Sequence, residues 1–186
     1  MSLTKFIQEH TLLKNADKLI YYGGSFNPWH AGHSSCLELA KDKAPVIVMP
    51  DNNPQKEDLY HRTSPKDLED KIKALNTKAL IFDEYFFLNE KTPTNEWVTE
   101  LIQNFPQKEH YLLLGHDSFI GLDTWINFES ILKNLTGIYV VARQDDHEKN
   151  EQKTELYKSI NSNLNIEFLG NHPFEHISST ELRLKN

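Results

Sequence analysis

Short apolar runs alternate along the chain with longer segments in which apolar residues recur every three or four positions. The apolar runs carry hydrophobic residues at consecutive positions, which is typical of strands that are buried on both faces of a sheet. We predict strands at 18–24, 45–50, 79–83, 110–115, 137–143 and 165–170. This alternation predicts an α/β fold built on a doubly wound parallel sheet of about five to six strands.

Helical periodicity and capping residues mark the segments between these strands. The segment 64–75 begins with Ser64 and Pro65 and places its apolar residues on one side, and the segment 92–105 repeats this design. Further helices are predicted at 33–41, as two short helices within 117–133, and after the polar loop that follows residue 143. Helices on both faces of the sheet would complete a Rossmann-like architecture.

The first residues of the chain predict one more helix. The segment 3–14 places Leu3, Phe6 and Ile7 on one face at helical spacing and carries no chemical motif. We expect it to cap the domain. The chain is therefore predicted to consist of an N-terminal helical extension at 1–17 and a single α/β domain at 18–186, which no linker or repeat divides.

Composition and charge limit the classes of function. The 186 residues carry 20 Lys and Arg against 27 Asp and Glu, a net charge of −7 without the basic face that a long nucleic acid requires. The only cysteine, Cys36, cannot form an internal disulfide, and no apolar run is long enough to cross a bilayer. We expect a cytoplasmic protein without a membrane partner, which holds any phosphate ligand in a local pocket.

The residues after the first predicted strand combine glycines with two histidines. They read GGSFNPWHAGH at 23–33 and lie where open α/β sheets bind ligands. Gly23 and Gly24 allow backbone amides to approach a phosphate, and the start of the next helix adds its dipole. His30 and His33 can project from one turn toward an anion. They could also belong to a metal site, but no third ligand lies at a supporting interval, so we expect no protein-held metal.

This segment resembles the first signature of the nucleotidyltransferases with an HxGH motif, and within them the nicotinate and nicotinamide mononucleotide adenylyltransferases. The second signature of that superfamily, Ser-Ser-Thr followed by a basic residue, is matched by ISSTELR at 177–183. Hydroxyls and amides at a helix start can receive phosphate oxygens, and an arginine adds a bidentate cation. An ordinary helix cap with a surface arginine is the alternative. The resemblance implies a nucleotidyltransferase domain with His30, His33 and Arg183 as catalytic residues.

A third segment, 112–132, also resembles the pyridine-nucleotide branch, through Gly115, Asp117, Ser118 and Trp125. The resemblance implies that Asp117 accepts hydrogen bonds from the adenosine ribose and that Trp125 lines the pyridine pocket. The alternatives are a helix cap for Asp117 and a core position for Trp125. The ATP-binding residues that the resemblance implies are Gly23, Gly24, Ser25, Phe26, His30, His33, Gly115, Asp117, Ile177, Ser178, Ser179 and Arg183.

The resemblance also implies a mononucleotide site. The loop PDNNPQK ends in Lys56, a candidate for the mononucleotide phosphate, although Gln55 stands where a histidine is common. Thr94 with Asn95 matches only in part the hydroxyl-bearing segment near the pyridine amide, and Arg143 resembles an arginine near the nucleotide. The implied mononucleotide-binding residues are Gly24, Ser25, Lys56, Thr94, Trp125 and Arg143.

The implied reaction transfers AMP from ATP to nicotinic acid mononucleotide or nicotinamide mononucleotide and releases pyrophosphate. The mononucleotide phosphate attacks the α-phosphorus directly and needs no general base, and Mg²⁺ is held mainly by the ATP phosphates and water. ATP and a pyridine mononucleotide are thus the expected partners, and a homo-oligomer stays open. Two alternatives are a non-catalytic nucleotide sensor that kept the pocket, and a pantetheine-phosphate adenylyltransferase, which usually carries Thr in place of His30.

Overall fold

Six parallel strands form one sheet in the computed structural model of the chain, which describes residues 1–51, 63–88, 93–141, 147–174, 177 and 182. The strands are β1 (Lys18–Gly24), β2 (Val46–Pro50), β3 (Ala79–Ile81), β4 (Glu109–Gly115), β5 (Gly137–Val141) and β6 (Asn165–Phe168). Their order across the sheet is β3-β2-β1-β4-β5-β6, and every neighbouring pair is parallel. The predicted doubly wound parallel sheet is confirmed.

The direction of winding reverses between β1 and β4. From β1 the chain adds β2 and β3 on one side, whereas β4 pairs with the other side of β1 and begins the second half of the sheet. In open α/β sheets such a reversal leaves a crevice beyond the carboxyl ends of the two strands. Since β1 ends at Gly24 and β4 ends at Gly115, two of the predicted ligand-binding segments begin at the same crevice.

Helices cover both faces of the sheet. They are α1 (Leu3–Glu9), α2 (Thr11–Lys14), α3 (Ala31–Ala40), α4 (Pro65–Lys73), α5 (Thr94–Asn104), α6 (His116–Ile120), α7 (Phe128–Asn134) and α8 (His147–Ile160), with 3₁₀ helices at Glu84–Phe87 and Leu122–Thr124. Leu19 and Tyr21 of β1 join the core that includes α1, α5 and α7, whereas Ile20 and Tyr22 join the core that includes α3 and α4. Burial on both faces therefore explains the uninterrupted apolar runs. None of the helices in the described ranges combines the length and the apolar composition that a membrane span requires.

The helix predicted at 3–14 and the helix predicted from residue 33 differ from the structure in their extent. The single helix expected at 3–14 is interrupted at His10, whose extended backbone (φ −94°, ψ 109°) separates α1 from α2. The His10 ring lies with Nδ1 2.8 Å from the carbonyl oxygen of Phe6, so the side chain helps to satisfy the end of α1. The helix expected from residue 33 begins at Ala31, because His30 is its N-cap residue.

The N-terminal helices pack into the core that includes α5 and α7. Leu3, Phe6 and Ile7 are buried, as their spacing predicts, and the Phe6 ring meets the Phe82 ring edge-on with centroids 5.3 Å apart. Fully burying one such side chain stabilises a fold by about 1.5–3 kcal/mol. The N-terminal segment thus contributes to the stability of the sheet domain, and its division from that domain at residue 17 stays a prediction.

A buried hydrogen-bonded chain joins β1, β4 and the end of α5. The Tyr21 hydroxyl lies 2.8 Å from His110 Nδ1, and His110 Nε2 lies 3.0 Å from the carbonyl oxygen of Phe105. Because a carbonyl oxygen can only accept, Nε2 carries the hydrogen and Nδ1 accepts from Tyr21 in the neutral ring. Burial is the main cause that lowers the pKa of His110 below 6.5. The folded protein therefore holds this imidazole neutral.

Stability is expected to fall when the pH drops below about 6.5, since His110 then gains a proton in the unfolded chain before it does so in the folded protein. His110→Phe should lower the free energy of unfolding at pH 7.5 by about 1–3 kcal/mol, because Tyr21 and Phe105 lose their partner. At pH 5 the difference between wild type and variant should shrink. Urea unfolding at both pH values measures this difference, and an equal difference at both would contradict the assignment.

Candidate active site

Aromatic side chains anchor the turn between β1 and α3. Phe26 and Trp29 are 3% and 6% exposed, and their rings meet edge-on with centroids 4.9 Å apart. The Trp29 indole N–H donates to Ser34 Oγ at 2.9 Å, which ties the turn to the first helical turn of α3. The aromatic residues of the motif therefore serve to pack the turn, and the two histidines follow a rigid segment of backbone.

His30 and His33 form a stacked pair at the start of α3. The backbone N–H of His30, the N-cap residue, donates to His33 Nδ1 at 3.2 Å. The ring centroids lie 3.8 Å apart, and the planes differ by 26°. Because His33 Nδ1 accepts a hydrogen bond, the neutral ring carries its hydrogen on Nε2. Both rings project from one turn, as predicted, and His33 offers a donor through Nε2.

Aromatic rings also surround His33. The Phe26 ring meets it edge-on at a centroid distance of 5.1 Å, and the Trp29 ring lies 5.2 Å away. These contacts restrict the rotamer of His33 and lower the local dielectric constant. A hydrogen bond from His33 Nε2 to an anion is therefore stronger than the same bond in water.

His30 is neutral near pH 7. Burial is the larger cause and the nearby His172 the smaller one, and together they lower the pKa of His30 to about 4. Its Nδ1 atom is buried, and none of the described residues provides a hydrogen-bond partner for it. An anion beside the ring would offset both effects, because it favours the protonated form. The electrostatic surroundings of His30 thus suit a negatively charged ligand.

The turn is also held from the far side, by Thr63. The backbone N–H of Trp29 donates to Thr63 Oγ1 at 2.8 Å, and the backbone N–H of Thr63 donates to the Phe26 carbonyl oxygen at 3.4 Å. These bonds connect Thr63, which precedes the N-cap residue of α4, to two residues of the turn before His30. Thr63 is therefore a positioning residue for the histidine pair.

Thr63→Val is expected to lower the turnover number of the implied AMP transfer about 10-fold. The turn that carries His30 loses its anchor, and catalysis is sensitive to small displacements of the groups that orient the substrate. The variant should also lose about 1–3 kcal/mol of stability, since the Trp29 N–H is left without its acceptor. Thr63→Ser keeps the hydroxyl and is the matched control, with turnover near that of the wild type. Steady-state kinetics and thermal melting measure the two effects, and equal turnover in both variants would contradict the anchoring role.

The segment that follows β4 is held by α8. His116 is buried, and its Nε2 lies 3.0 Å from Asn150 Oδ1. The Tyr157 hydroxyl donates to the carbonyl oxygen of Phe119 at 2.7 Å. Both contacts fix α6, where Asp117 lies in the first turn with its side chain 73% exposed. The exposed carboxylate is thus carried by a helix that is itself well anchored.

Gly115, and not Asp117, is the N-cap residue of α6. The alternative interpretation of Asp117 as a helix cap is therefore wrong. Trp125 is half-buried and packs against the core that includes α1, α5 and α7, which agrees with the alternative of a core position. Thr94 is the first residue of α5 and is half-buried. Contacts of Asp117, Trp125 and Thr94 with a nucleotide stay predictions.

Several predicted site residues lie outside the described part of the chain. They are Lys56, Arg143, Ser178, Ser179, Thr180 and Arg183. Of the second signature, Ile177 is described, and its backbone N–H donates to the carbonyl oxygen of Phe174 at 3.0 Å. The roles assigned to the undescribed residues stay predictions.

The described residues form no recognisable metal centre. Within the described ranges, no three His, Cys, Asp or Glu side chains are arranged to hold a metal ion. Cys36 is buried, which raises the pKa of its thiol to about 11 and leaves it a poor metal ligand. The zinc alternative for His30 and His33 therefore finds no further ligand in this part of the chain.

The chain matches a known protein family and several known proteins. The family model for cytidylyltransferase-like proteins matches residues 21–185. The chain belongs to the cytidylyltransferase-like family. A probable nicotinate-nucleotide adenylyltransferase of Fusobacterium nucleatum is 30% identical over 179 residues, which cover 90% of this chain and 86% of that protein. A relative of the same description from Pelagibacter ubique is 29% identical and covers 94% of this chain and 97% of that protein.

Solved structures share the fold of this chain. The nicotinic acid mononucleotide adenylyltransferase of Plasmodium falciparum, complexed with APC, superposes with a TM-score of 0.63 at 19% identity, over 90% of this chain and 83% of that one. A structure from Vibrio parahaemolyticus, described as a putative nicotinate-nucleotide adenylyltransferase, superposes with a TM-score of 0.55 at 17% identity, over 73% of this chain and 79% of that one. These likenesses establish the fold. The resemblance inferred from the two signatures is confirmed by the family match and by the bacterial relatives.

Three residues near the candidate site of this cytidylyltransferase-like protein could not be identified from the sequence. Thr63 anchors the turn before His30, Asn150 anchors α6, and His172 lies beside His30. Each is remote in sequence from the element that it contacts, and none belongs to a repeated pattern or a family signature. Only the position of His172 just before the second signature offered a hint in the sequence.

Proposed function

We propose that this protein transfers AMP from ATP to nicotinic acid mononucleotide, releasing pyrophosphate and forming deamido-NAD. The observation that carries the proposal is the stacked pair of His30 and His33 at the start of α3, beyond the carboxyl end of β1. The bacterial relatives are described as probable nicotinate-nucleotide adenylyltransferases, which favours the acid over the amide substrate. The reversal of winding beside β1 supports a crevice for two nucleotides.

The histidine pair would act by placing hydrogen-bond donors where negative charge develops. The attacking phosphate oxygen of the mononucleotide is already ionised, so the reaction needs orientation and charge stabilisation rather than a general base. His33 Nε2 carries a hydrogen because Nδ1 accepts from the His30 backbone N–H. A donor that is oriented before the substrate binds costs no reorganisation during the reaction.

The adenosine part of ATP would lie beside α6. Asp117 is exposed in its first turn, and a carboxylate can accept hydrogen bonds from both ribose hydroxyls. The anchoring of α6 to α8 through His116 and Asn150 would hold this carboxylate in place. We assign Ser178, Ser179 and Arg183 to the triphosphate, and Lys56, Thr94, Trp125 and Arg143 to the mononucleotide, on the family resemblance.

Mg²⁺ is the cofactor that we propose. The described histidines offer imidazole nitrogen, whereas Mg²⁺ prefers oxygen ligands, so the phosphates of ATP and water would hold the ion. When bound, Mg²⁺ would neutralise phosphate charge. The chain's own contribution would be to orient the phosphates through His33 and to place beside them His30, whose protonated form a bound anion favours.

The test is a comparison of acceptors. The purified protein is incubated with ATP and Mg²⁺ and with nicotinic acid mononucleotide, nicotinamide mononucleotide or phosphopantetheine in parallel, and released pyrophosphate and the product are measured. We expect the fastest release with nicotinic acid mononucleotide. Measurable ATP binding without release for any acceptor would contradict the proposal and favour a nucleotide sensor, and release with phosphopantetheine alone would indicate the rival adenylyltransferase.

A further inference from the structure

A third histidine, His172, lies near His30. It belongs to the segment after β6, a strand separated from β1 by β4 and β5. A methyl group placed on Gly32 would lie 3.4 Å from His172 Cε1 and 3.0 Å from both Cε1 and Nδ1 of His30. The two rings therefore approach the same side of Gly32. A side chain at Gly32 would crowd the His30 ring and touch the His172 ring.

The ring of His172 is oriented by its own segment. The backbone N–H of Phe174 donates to His172 Nδ1 at 3.1 Å, and the ring is half-buried. Because Nδ1 accepts, the neutral ring carries its hydrogen on Nε2. His33 has the same arrangement, with a backbone N–H on Nδ1 and a donor at Nε2. The cluster thus contains two imidazoles, His33 and His172, whose neutral rings carry an oriented Nε2 donor.

The surroundings of His30 suit an anion shared with His172. His30 Nδ1 is buried, and none of the described residues gives it a hydrogen-bond partner. Burial is the larger cause that lowers the pKa of His30, and repulsion between the protonated forms of His30 and His172 is the smaller one. Two imidazoles that oppose each other's protonation become compatible when an anion lies beside both.

We propose that His172 is a third anion-binding histidine of the active site, which contacts the triphosphate of ATP together with His30. The inference rests on the proposed function, because that function supplies the anion. The segment that carries His172 runs directly into the second signature at 177–183. His172 lies five residues before the start of that signature in the sequence.

Binding of inorganic tripolyphosphate, measured by calorimetry, tests this role without the adenosine or the mononucleotide. His172→Asn keeps an acceptor for the Phe174 N–H and loses the Nε2 donor, so its affinity should fall about 10-fold. His172→Gln places an amide N–H near the position of Nε2 and should recover most of the affinity. If the ring served only as the acceptor for the Phe174 N–H, His172→Asn should bind tripolyphosphate more tightly than His172→Gln. His147→Asn, at the exposed start of α8, is the control and should bind like the wild type.

The outcomes separate this inference from the proposed function. Equal tripolyphosphate affinity of wild type and His172→Asn would overturn it, as would the absence of tripolyphosphate binding to the wild type. If the wild type transfers no AMP but His172→Asn weakens tripolyphosphate binding, the proposed function fails and the anion-binding role stands. Thermal melting of each variant checks that the fold is kept. If His172→Asn does not fold, His172→Phe replaces it, because Phe lacks the N–H donor that Gln supplies. The proposal then predicts weaker tripolyphosphate binding for His172→Phe than for His172→Gln.

Discussion

His33→Ala is expected to lower the turnover number about 100-fold or more, the usual effect of removing one oriented donor from developing charge. The ring of His33 is enclosed by Phe26 and Trp29, and its Nδ1 is engaged by the His30 backbone N–H. In the neutral ring the hydrogen is therefore on Nε2, from which His33 can donate to a phosphate oxygen. Pyrophosphate release at saturating ATP and nicotinic acid mononucleotide measures the change.

A second variant separates this catalytic donor from the structural bond. His33→Asn offers Oδ1 near the place of Nδ1, so it keeps the acceptor for the His30 N–H and removes only the Nε2 donor. It should melt near the wild-type temperature and lose as much turnover as His33→Ala. Turnover within a few-fold of the wild type in His33→Asn would show that His33 acts only by capping α3.

Gly137→Ala is expected to destabilise the fold by about 3 kcal/mol, at the upper end of the usual effect of overpacking. A methyl group at Gly137 would lie 2.5 Å from Cε1 of the Tyr111 ring and would also collide with the backbone oxygen of Asn165. The Tyr111 ring passes over Gly137 and stacks on Tyr139 with centroids 4.7 Å apart. Since β5 pairs with both β4 and β6 at this residue, the backbone cannot move aside without loss of pairing.

Gly23→Ala is the matched control for stability. It lies in β1, and a methyl group there would meet no atom within 4 Å. The same chemical change should therefore leave the free energy of unfolding within about 1 kcal/mol of the wild type. Urea unfolding of both variants measures the contrast. A Gly137→Ala variant as stable as Gly23→Ala would show that the contact between β5 and Tyr111 can relax.

The sheet could be predicted from the sequence because its strands are buried on both faces. Each strand presents a continuous apolar run, and the helices between them show capping residues and helical spacing. The break of the N-terminal helix at His10 could not be predicted in this way, because nothing in the spacing of Leu3, Phe6 and Ile7 indicates an extended residue. There the His10 side chain contacts the Phe6 carbonyl oxygen in place of a continued helix.

The centre of the site could also be predicted, since His30 and His33 are neighbours on one turn. The residues that hold and extend this centre could not. Thr63 and His172 reach the pair from segments that only the folded sheet brings close, and neither lies in a pattern of regular spacing. The alternative roles of Asp117 and Trp125 illustrate the same limit. Whether a residue caps a helix or packs in the core depends on its spatial neighbours, which cannot be read from the sequence.

The most direct test of the proposed chemistry follows the α-phosphorus of ATP. The protein is incubated with Mg²⁺, nicotinic acid mononucleotide and ATP labelled at the α-phosphorus, and the labelled products are separated, with His33→Asn as a parallel sample. Label in the dinucleotide with the wild type, and about 100-fold less with the variant, is the predicted result. Label that stays in ATP, or that appears only in free AMP, would contradict the proposal that this site joins the two nucleotides.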